Sequence, residues 1–308
     1  MSQLDVVTGA FSYSGAAITA ELQRRGHRVR TLTGHPDRAP ADSPVEVRPL
    51  DFDDDRALAQ SIAGADTLYN TYWVRFAHGS VSHDTAVANS QRLFSAAVKA
   101  GVQRIVHVSI THPSLDAPSS YFRGKALVEQ ALAESGLPGY AVARPAILFG
   151  GDGVLINNIA WLLRRLPVFA IGGRGDYRIR PIHVGDLASL CADLGARQDT
   201  VVTDAVGPES LPFRQLVEEV RAAVGSRALI VRVPGAAIPV LSGLLNAALR
   251  DTLLTADEYR SMSAGLADSA APATGQTAIT SWIAAHGDSL GRRYANELDR
   301  HYRPASGS

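Results

Sequence analysis

The sequence predicts an α/β fold, a doubly wound parallel sheet with a smaller C-terminal substrate lobe. Short β-branched runs alternate with helical stretches through the first half of the chain. The predicted strands are apolar throughout, which is typical of parallel strands that are covered on both faces. The segment TGAFSYSG, residues 8–15, joins the first of these strands to a helical stretch. Because crossovers between parallel strands are right-handed, we expect ligands at the carboxyl ends of the strands.

The elements of the first half follow from this alternation. Apolar, β-branched runs predict strands at Leu4–Thr8, Val29–Thr33, Val45–Pro49, Thr67–Asn70, Arg104–Ser109 and Tyr140–Arg144. Helical periodicity between them predicts helices at Gly15–Arg25, Asp55–Ala63, Asp84–Ala100 and Tyr121–Ser135.

The alternation stops near residue 150, where glycine-rich loops surround the helical stretch INNIAWLLRRL. Beyond it we predict a strand and three helices, at Thr200–Ala205, Val184–Ala196, Pro212–Val224 and Ile279–His286. We therefore expect a first domain over residues 1–150 and mainly a substrate-binding lobe over 151–308. Residues 184–205 are expected to return to the sheet of the first domain.

Composition excludes several classes of partner. The chain has 308 residues and a formal net charge of zero, so we expect neither nucleic acid nor an anionic membrane surface as a partner. The longest uncharged stretch, between Arg232 and Arg250, is shorter than the ~20 residues of a membrane span and predicts a cap or interface helix. The pattern of a signal peptide is absent, which predicts a cytoplasmic protein. With Cys191 as the single cysteine and no metal-ligand spacing, we expect no intramolecular disulfide and no metal.

The segment TGAFSYSG has an order of strand, tight turn and helix N-terminus that lets backbone N–H groups meet a pyrophosphate. Gly9 would make the turn, Gly15 would let the helix pack close to the sheet, and the Ser12 hydroxyl could donate to a phosphate oxygen. Phe11 and Tyr13 belong to the same candidate loop. Because any strand-to-helix turn favours glycine and serine, an ordinary turn is the alternative.

Candidate residues for an adenosine follow the second and third strands. Asp51 could accept from an adenine amino group and the main chain of Phe52 could address the ring, or the aspartates of DFDD could merely cap the next helix. The second strand ends in Thr33 rather than in a carboxylate that would bind a ribose 2′-hydroxyl. Arg30 and His35 would suit a 2′-phosphate, which favours NADP over NAD, although a solvated arginine is the alternative.

YFRGK places Tyr121 and Lys125 at positions i and i+4, on one face of a predicted helix. Lys125 is one of two lysines among 30 basic residues, which suggests a role for a compact charge. Its ammonium could bind a ribose hydroxyl and favour the phenolate of Tyr121, so that the phenol exchanges a proton with a carbonyl or an alcohol. The alternative is a solvated helix pair.

A hydroxyl that polarises the substrate oxygen is expected in VHVSITHPS, at the end of the fifth strand. Ser109 is the first candidate and Thr111 the second. Either hydroxyl could instead satisfy backbone groups at the strand end.

Together these motifs resemble the short-chain dehydrogenase/reductase superfamily, in an extended or atypical form similar to NmrA-like proteins and complex I accessory subunits. TGAFSYSG is similar to the family's TGxxGxxG, with Ser12 in place of a glycine, and YFRGK is similar to its Tyr-x-x-x-Lys. AVANSQRLFSAAVKAGVQRIVHVS, ARPAILFG and RPIHVGDLA also match segments of the family. The resemblance covers most of residues 4–190 and implies a Rossmann sheet that binds NADP or NAD.

The resemblance also implies a function. Pro145 and Ile147 would lie along the nicotinamide, and Thr71 is a further cofactor candidate. The implied protein is an NAD(P)-dependent oxidoreductase that reduces a carbonyl or oxidises an alcohol by hydride transfer, with Tyr121 and Lys125 as its acid–base pair. The alternatives are an epimerase or dehydratase of the sugar-nucleotide type and a non-catalytic, NADP(H)-sensing regulator.

Candidate substrate residues lie in two segments. YNTYWVRFAHGSVSH, residues 69–83, carries Trp73, Arg75 and Phe76, which could form a substrate wall or a loop packed on itself. Arg178 could reach a substrate carboxylate or phosphate, or tie parts of the fold together. We expect a small-molecule carbonyl or alcohol as the substrate and a monomer or homodimer as the assembly.

Overall fold

The computed structural model describes residues 3–76, 81–151 and 153–296. The chain divides into two compact units. The first unit comprises Met1–Pro145 and Val184–Ala205, and the second unit comprises Ala146–His183 and Val206–Ser308.

Strands and helices alternate along the first unit. The strands of the chain are β1 (Leu4–Thr8), β2 (Arg28–Thr33), β3 (Glu46–Pro49), β4 (Thr67–Asn70), β5 (Arg104–Val108), β6 (Gly139–Pro145), β7 (Leu148–Phe149), β8 (Val168–Gly172), β9 (Arg178–Ile179), β10 (Ile182–His183), β11 (Val201–Ala205), β12 (Leu211–Pro212) and β13 (Leu229–Val233). The α-helices are α1 (Tyr13–Arg24), α2 (Asp55–Ile62), α3 (His83–Lys99), α4 (Ser120–Ala133), α5 (Val154–Arg165), α6 (Val184–Gly195), α7 (Phe213–Ala223), α8 (Ile238–Leu249), α9 (Ala256–Ser263) and α10 (Ile279–His286).

The first unit is built on a seven-stranded sheet in the order β11-β6-β5-β4-β1-β2-β3, and every neighbouring pair is parallel. The predicted doubly wound parallel sheet is therefore confirmed. The chain moves outward in one direction through β1, β2 and β3, and in the other through β4, β5 and β6. A sheet of this kind has its topological switch point between β1 and β4, where ligands bind at the carboxyl ends of the strands.

The core of the first unit explains why its strands are apolar in sequence. Helices α2, α3 and α4 pack against each other and cover one face of the sheet, while α1 and α6 pack together as a pair. The central strands are buried along their whole length, so residues that point to either face must be apolar. Buried members of this core include Val6, Leu32, Leu68, Ile105 and Val142.

The second unit has short strand pairs, β8 with β13, β7 with β10 and β9 with β12. Its buried core brings together α5, α7 and α10. The stretch between Arg232 and Arg250 contains α8, as the cap-helix prediction expected. Helix α9 was not predicted, although its N-terminus carries a capping box between Thr255 and Glu258 that the sequence TADE could have revealed. Among the described residues, no helix is long and apolar enough to cross a membrane.

Candidate active site

The turn after β1 brings the start of α1 close to the end of that strand. Gly9 has a φ of +66°, a conformation that favours glycine, and its N–H donates to the Leu32 carbonyl on β2 at 2.9 Å. A Cβ at Gly15 would lie 2.8 Å from the carbonyl carbon of Gly9 and closer still to its oxygen. Since that obstacle is backbone, only glycine fits at position 15, and a narrow cradle forms at the helix N-terminus.

The side chain of Ser12 closes this turn. Its hydroxyl donates to the Gly9 carbonyl at 2.7 Å, and its backbone N–H donates to the same oxygen at 2.8 Å. A hydroxyl carries one proton, so this proton is not offered to a phosphate in the present arrangement. The donation of Ser12 to a phosphate oxygen stays a prediction, and it would require the hydroxyl to turn away from the Gly9 carbonyl. Phe11 and Tyr13 flank the turn and are both half-buried.

A hydrogen-bonded network ties the ends of β1 and β4 together. The Thr8 hydroxyl accepts from the Thr71 N–H at 2.8 Å and from the Tyr72 N–H at 3.1 Å, and it lies 3.2 Å from Asn70 Oδ1. The Thr71 hydroxyl donates to the Thr8 carbonyl at 2.5 Å. Thr71 thus lies at the strand end where a cofactor is expected, but its hydroxyl proton supports the turn.

Two of the residues predicted to contact an adenosine, Thr33 and Asp51, line a shallow depression beyond β2 and β3. Gly34 also lines it. The Thr33 hydroxyl accepts from the His35 N–H at 3.0 Å, and the His35 side chain is exposed. Asp51 accepts from the Asp53 N–H at 2.8 Å and shapes the turn before α2.

The residues next to Asp51 have structural contacts of their own. The cap of α2 is Asp54, which accepts from two backbone N–H groups, so the capping alternative holds for Asp54. Phe52 packs against Tyr72 with ring centroids 5.0 Å apart, and its carbonyl accepts from Arg92 at 2.6 Å. Arg48, which sequence reasoning missed, also lines the depression and is ion-paired with Glu46.

The guanidinium group of Arg30 is engaged elsewhere. It donates to the carbonyls of Ser61 and Ala63 at the end of α2 and pairs with Glu46 at 3.0 Å. Arg30 lies three residues before the end of β2, so its side chain reaches the C-terminus of α2 instead of the strand end. The expectation that Arg30 meets a 2′-phosphate is corrected for this reason.

Lys125 is buried in the first unit, with only 3% of its surface exposed. Its ammonium donates to the Val108 carbonyl at the end of β5 at 3.0 Å, and Nζ lies 4.5 Å from the centroid of the Trp73 ring. Burial lowers the pKa of Lys125 to about 7, and the Glu129 carboxylate opposes this shift. A lysine that titrates near neutral pH can change its charge in response to a neighbouring anion.

Tyr121 lies one turn earlier on α4, among aromatic rings. The Trp73 ring contacts it edge-on at 5.8 Å and the His83 ring edge-on at 5.6 Å, while Trp73 and His83 stack in parallel at 5.8 Å. His83 Nδ1 lies 2.8 Å from the Ser120 hydroxyl. Sequence reasoning missed His83, because its contact with α4 crosses 37 residues of chain.

Both hydroxyl candidates lie at the junction between β5 and β6. Ser109 and Thr111 are buried, and their N–H groups donate to the carbonyls of Ala143 and Pro145. Ser109 Oγ is buried and has no hydrogen-bond partner among the described residues. A buried hydroxyl without a partner is unusual in a folded protein, and its role in polarising a substrate oxygen stays a prediction.

A buried histidine also adjoins the site. His107 Nδ1 lies 3.0 Å from the Asn70 amide, and the imidazole is fully buried. Burial lowers the pKa of His107 well below its ordinary value, with the Lys125 cation as a second cause, so the ring is neutral. His107 had no local sequence signal, since a histidine inside an apolar strand usually belongs to the core.

The remaining predicted residues lie either in the loop after β4 or in the second unit. Arg75 lies over the Phe76 ring at 5.8 Å, so this part of the loop packs partly on itself. In the second unit, the Ile147 carbonyl accepts from Ile182 at 2.9 Å, and the Ile147 side chain packs against that unit's core. Arg178 donates to Ser210 and lies 3.7 Å from the Asp268 carboxylate. These contacts agree with the alternative that Arg178 ties parts of the fold together, and its substrate role stays a prediction.

The described residues fit a nicotinamide dinucleotide. A cradle that only glycine permits lies at a helix N-terminus, a shallow depression follows β2 and β3, and directly after β5 lies a buried hydroxyl without a partner among the described residues. All three features lie in the first unit, near the carboxyl ends of parallel strands.

Comparison with known proteins agrees with this geometry. Residues 9–158 match a family model described as NAD(P)H-binding. An uncharacterized protein of Mycobacterium tuberculosis is 30% identical over 215 residues, which are 68% of this chain and 22% of that protein. The mitochondrial 40 kDa subunit of NADH-ubiquinone oxidoreductase from Neurospora crassa is 25% identical over 212 residues, which are 68% of this chain and 55% of that subunit. This chain thus spans about a fifth to a half of the length of these curated relatives.

Solved structures share the fold. The NADPH-dependent quinone oxidoreductase QOR2 of Escherichia coli superposes with a TM-score of 0.74 and 21% identity, covering 92% of this chain and 99% of that one. Other matched structures are reductases and sugar epimerases. The NAD(P)H-binding family match, the similarity to complex I subunits and the structural neighbours among reductases and epimerases agree with the resemblance that the sequence motifs predict.

Proposed function

Because residues 9–158 match a family model described as NAD(P)H-binding, we propose that the protein is an NAD(P)-dependent oxidoreductase that reduces a carbonyl or oxidises an alcohol. The observation that carries this proposal is the pair formed by Tyr121 and Lys125. Both residues lie on one face of α4, and the Lys125 ammonium is held at the end of β5, 3.0 Å from the Val108 carbonyl. A regulator that only binds the cofactor has no need of such a pair.

The nicotinamide would supply or accept the hydride. In the direction of reduction, the Tyr121 hydroxyl donates its proton to the substrate oxygen, and the Lys125 cation stabilises the phenolate that remains. Ser109 Oγ donates a hydrogen bond to the same oxygen, with Thr111 as the alternative donor. In the direction of oxidation, the Tyr121 phenolate accepts the proton of the alcohol.

We assign the pyrophosphate to the cradle between Gly9 and Gly15, and the adenosine to the depression that Thr33 and Asp51 line. The preference for NADP over NAD now depends on the exposed His35 and on the absence of a carboxylate at the end of β2. The small-molecule substrate, the monomeric or dimeric state and the cytoplasmic location stay predictions.

The first experiment is calorimetric titration of the purified protein with NADP⁺, NADPH, NAD⁺ and NADH, followed by a carbonyl and alcohol screen with the bound pair. We expect at least tenfold discrimination between the two pairs, about 1.4 kcal/mol. Tyr121→Phe should lower turnover by about 10²- to 10⁴-fold while the dissociation constant of the cofactor changes by less than about twofold. Retained turnover in Tyr121→Phe would rule out the proposed mechanism.

The second candidate is a protein that binds the cofactor without turnover. The observation in its favour is the burial of Lys125 under the Trp73 ring. It predicts nucleotide affinity that differs between oxidised and reduced forms, together with no turnover on any member of the screen. An epimerase or dehydratase would instead act without added cofactor.

A further inference from the structure

The Trp73 ring covers the ammonium group that the proposed function assigns to a ribose hydroxyl. Lys125 Nζ lies 4.5 Å from the ring centroid, and 3% of the residue is exposed. The ammonium also donates to the Val108 carbonyl of β5, and Lys125 itself lies inside α4. With so little of the residue exposed, a ribose hydroxyl reaches this ammonium only after a neighbouring group moves, and we take the indole ring to be that group.

Gly124, directly before Lys125, provides the space that the indole occupies. A Cβ at position 124 would lie 2.9 Å from Trp73 Cη2 and 3.3 Å from Cζ2, with a Val87 methyl group at 3.5 Å. Gly124 lies inside α4, where glycine is less favourable than alanine, so a steric reason for it is expected. We call the space above Gly124 the Gly124 notch.

The indole ring is held by aromatic contacts and not by a hydrogen bond from its N–H group to any described residue. His83 stacks on the Trp73 ring at 5.8 Å, and Tyr121 meets it edge-on at 5.8 Å. Trp73 Nε1 is buried and has no acceptor among the described residues. A buried donor without an acceptor costs free energy that is recovered when the group reaches water. The aromatic contacts therefore favour the closed position of the ring, while the unsatisfied N–H group lowers the free-energy cost of moving the ring into water.

We propose that Trp73 closes the Lys125 subsite while no cofactor is bound, and that its ring leaves the Gly124 notch when the ribose of a nicotinamide nucleotide binds. The inference rests on the proposed function, because it takes Lys125 as the ribose ligand. Trp73 then determines cofactor affinity, since the apparent affinity is the intrinsic affinity multiplied by the fraction of open molecules.

Two independent variants test this role. Trp73→Leu removes the ring, and Gly124→Ala keeps it but places a methyl group in the notch. Each should lower the dissociation constant for NADP⁺ or NAD⁺ by about tenfold in calorimetric titration, because the closed form is destabilised. The double variant should bind no more tightly than Trp73→Leu alone, since both changes remove the same closed form.

Gly243→Ala is the matched control. Gly243 also lies inside a helix, α8, and a Cβ there would meet no atom within 4 Å. This variant should leave nucleotide affinity unchanged, which separates the notch from the general effect of alanine in a helix.

The movement itself can be followed by fluorescence. The chain has three tryptophans, and replacing Trp161 and Trp282 by phenylalanine leaves Trp73 as the sole emitter. Saturation with NADP⁺ or NAD⁺, which do not absorb indole emission, should shift the emission to longer wavelength as the indole reaches water. Gly124→Ala in this background should show part of the shift before any nucleotide is added.

The possible outcomes separate the two proposals. Tighter binding in both variants, or binding in the variants alone, supports the closed Trp73. Unchanged affinity in both variants, with an unresponsive Trp73 emission and intact nucleotide binding, would overturn this inference and leave the proposed function standing. Absence of binding in the wild type and in every variant would overturn both.

Discussion

The two halves of the candidate active site differ in how far they are prepared for a ligand. The turn between Gly9 and Gly15, to which we assign the pyrophosphate, is already closed, because Ser12 bonds to Gly9 and only glycine fits at position 15. The other half, around Tyr121 and Lys125, is covered by the Trp73 ring. A prepared surface contributes affinity directly, whereas a covered one contributes only after a conformational change. We infer that the turn at Gly9 and Gly15 contributes binding free energy directly, whereas the contribution of Lys125 depends on movement of the Trp73 ring.

The largest effect on stability and nucleotide affinity is expected from a substitution at Gly15. Gly15→Ala places a Cβ against the Gly9 carbonyl, and we expect it to destabilise the protein by about 3 kcal/mol and to weaken nucleotide binding by more than about 100-fold. Urea unfolding and calorimetric titration measure the two effects, with Gly243→Ala as the control that should leave affinity unchanged and raise stability by up to about 1 kcal/mol. Affinity within fivefold of the wild type in Gly15→Ala would mean that this loop does not hold the pyrophosphate.

The covered half makes the opposite prediction for stability. Lys125→Met removes a buried ammonium that has no carboxylate in hydrogen-bonding contact among the described residues, so the free energy of unfolding should increase by about 2 kcal/mol at pH 7. Turnover should be lost in the same variant. A decrease in stability on denaturant unfolding would show that the ammonium is a structural requirement of the fold.

The pH dependence of stability provides a second test of the buried Lys125 ammonium. Burial lowers the pKa of Lys125 from 10.5 to about 7, so between about pH 7 and pH 10 the unfolded chain binds more protons than the folded one. The free energy of unfolding of the wild type should therefore rise with pH across this window relative to that of Lys125→Met, by up to ~1.4 kcal/mol per pH unit. Below pH 7 the difference should be constant. Parallel profiles for the two proteins from pH 7 to pH 10 would contradict the lowered pKa.

The smallest effect is expected at Ser12. Ser12→Gly restores the glycine of the family pattern and removes one hydrogen bond within the loop, so stability should fall by about 1 kcal/mol and nucleotide affinity should change by less than about fivefold. Thermal unfolding and calorimetric titration test this. A gain in affinity of tenfold or more would indicate that the Ser12 side chain obstructs the phosphates.

Features carried by local patterns could be predicted from the sequence. The alternation of strands and helices was readable because strands covered on both faces must be apolar, and Gly15 was readable because its turn is local. The spacing of Tyr121 and Lys125 likewise placed both on one face of α4. Even the missed helix α9 had a local signal in its capping box.

Features that depend on side-chain direction or on distant contacts could not be predicted. Arg30 was expected at a ligand, but position 30 of β2 directs the guanidinium to the end of α2. The Trp73 ring meets Gly124 and Lys125 across about 50 residues of chain, and His107 meets Asn70 across two strands. Such contacts depend on how separate elements pack, which no short pattern records.

The last strand of the large sheet has a consequence for synthesis. Strand β11 pairs with β6 along five residues, yet residues 146–183 of the second unit separate these two parts of the first unit in the chain. During translation, β6 therefore leaves the ribosome well before its neighbour and presents an open edge until residue 205 has emerged. A fragment cut at residue 158, where the family match ends, would keep that edge permanently exposed. The first unit can therefore complete its sheet only after residues 146–183 of the second unit and the following segment up to residue 205 have been synthesised.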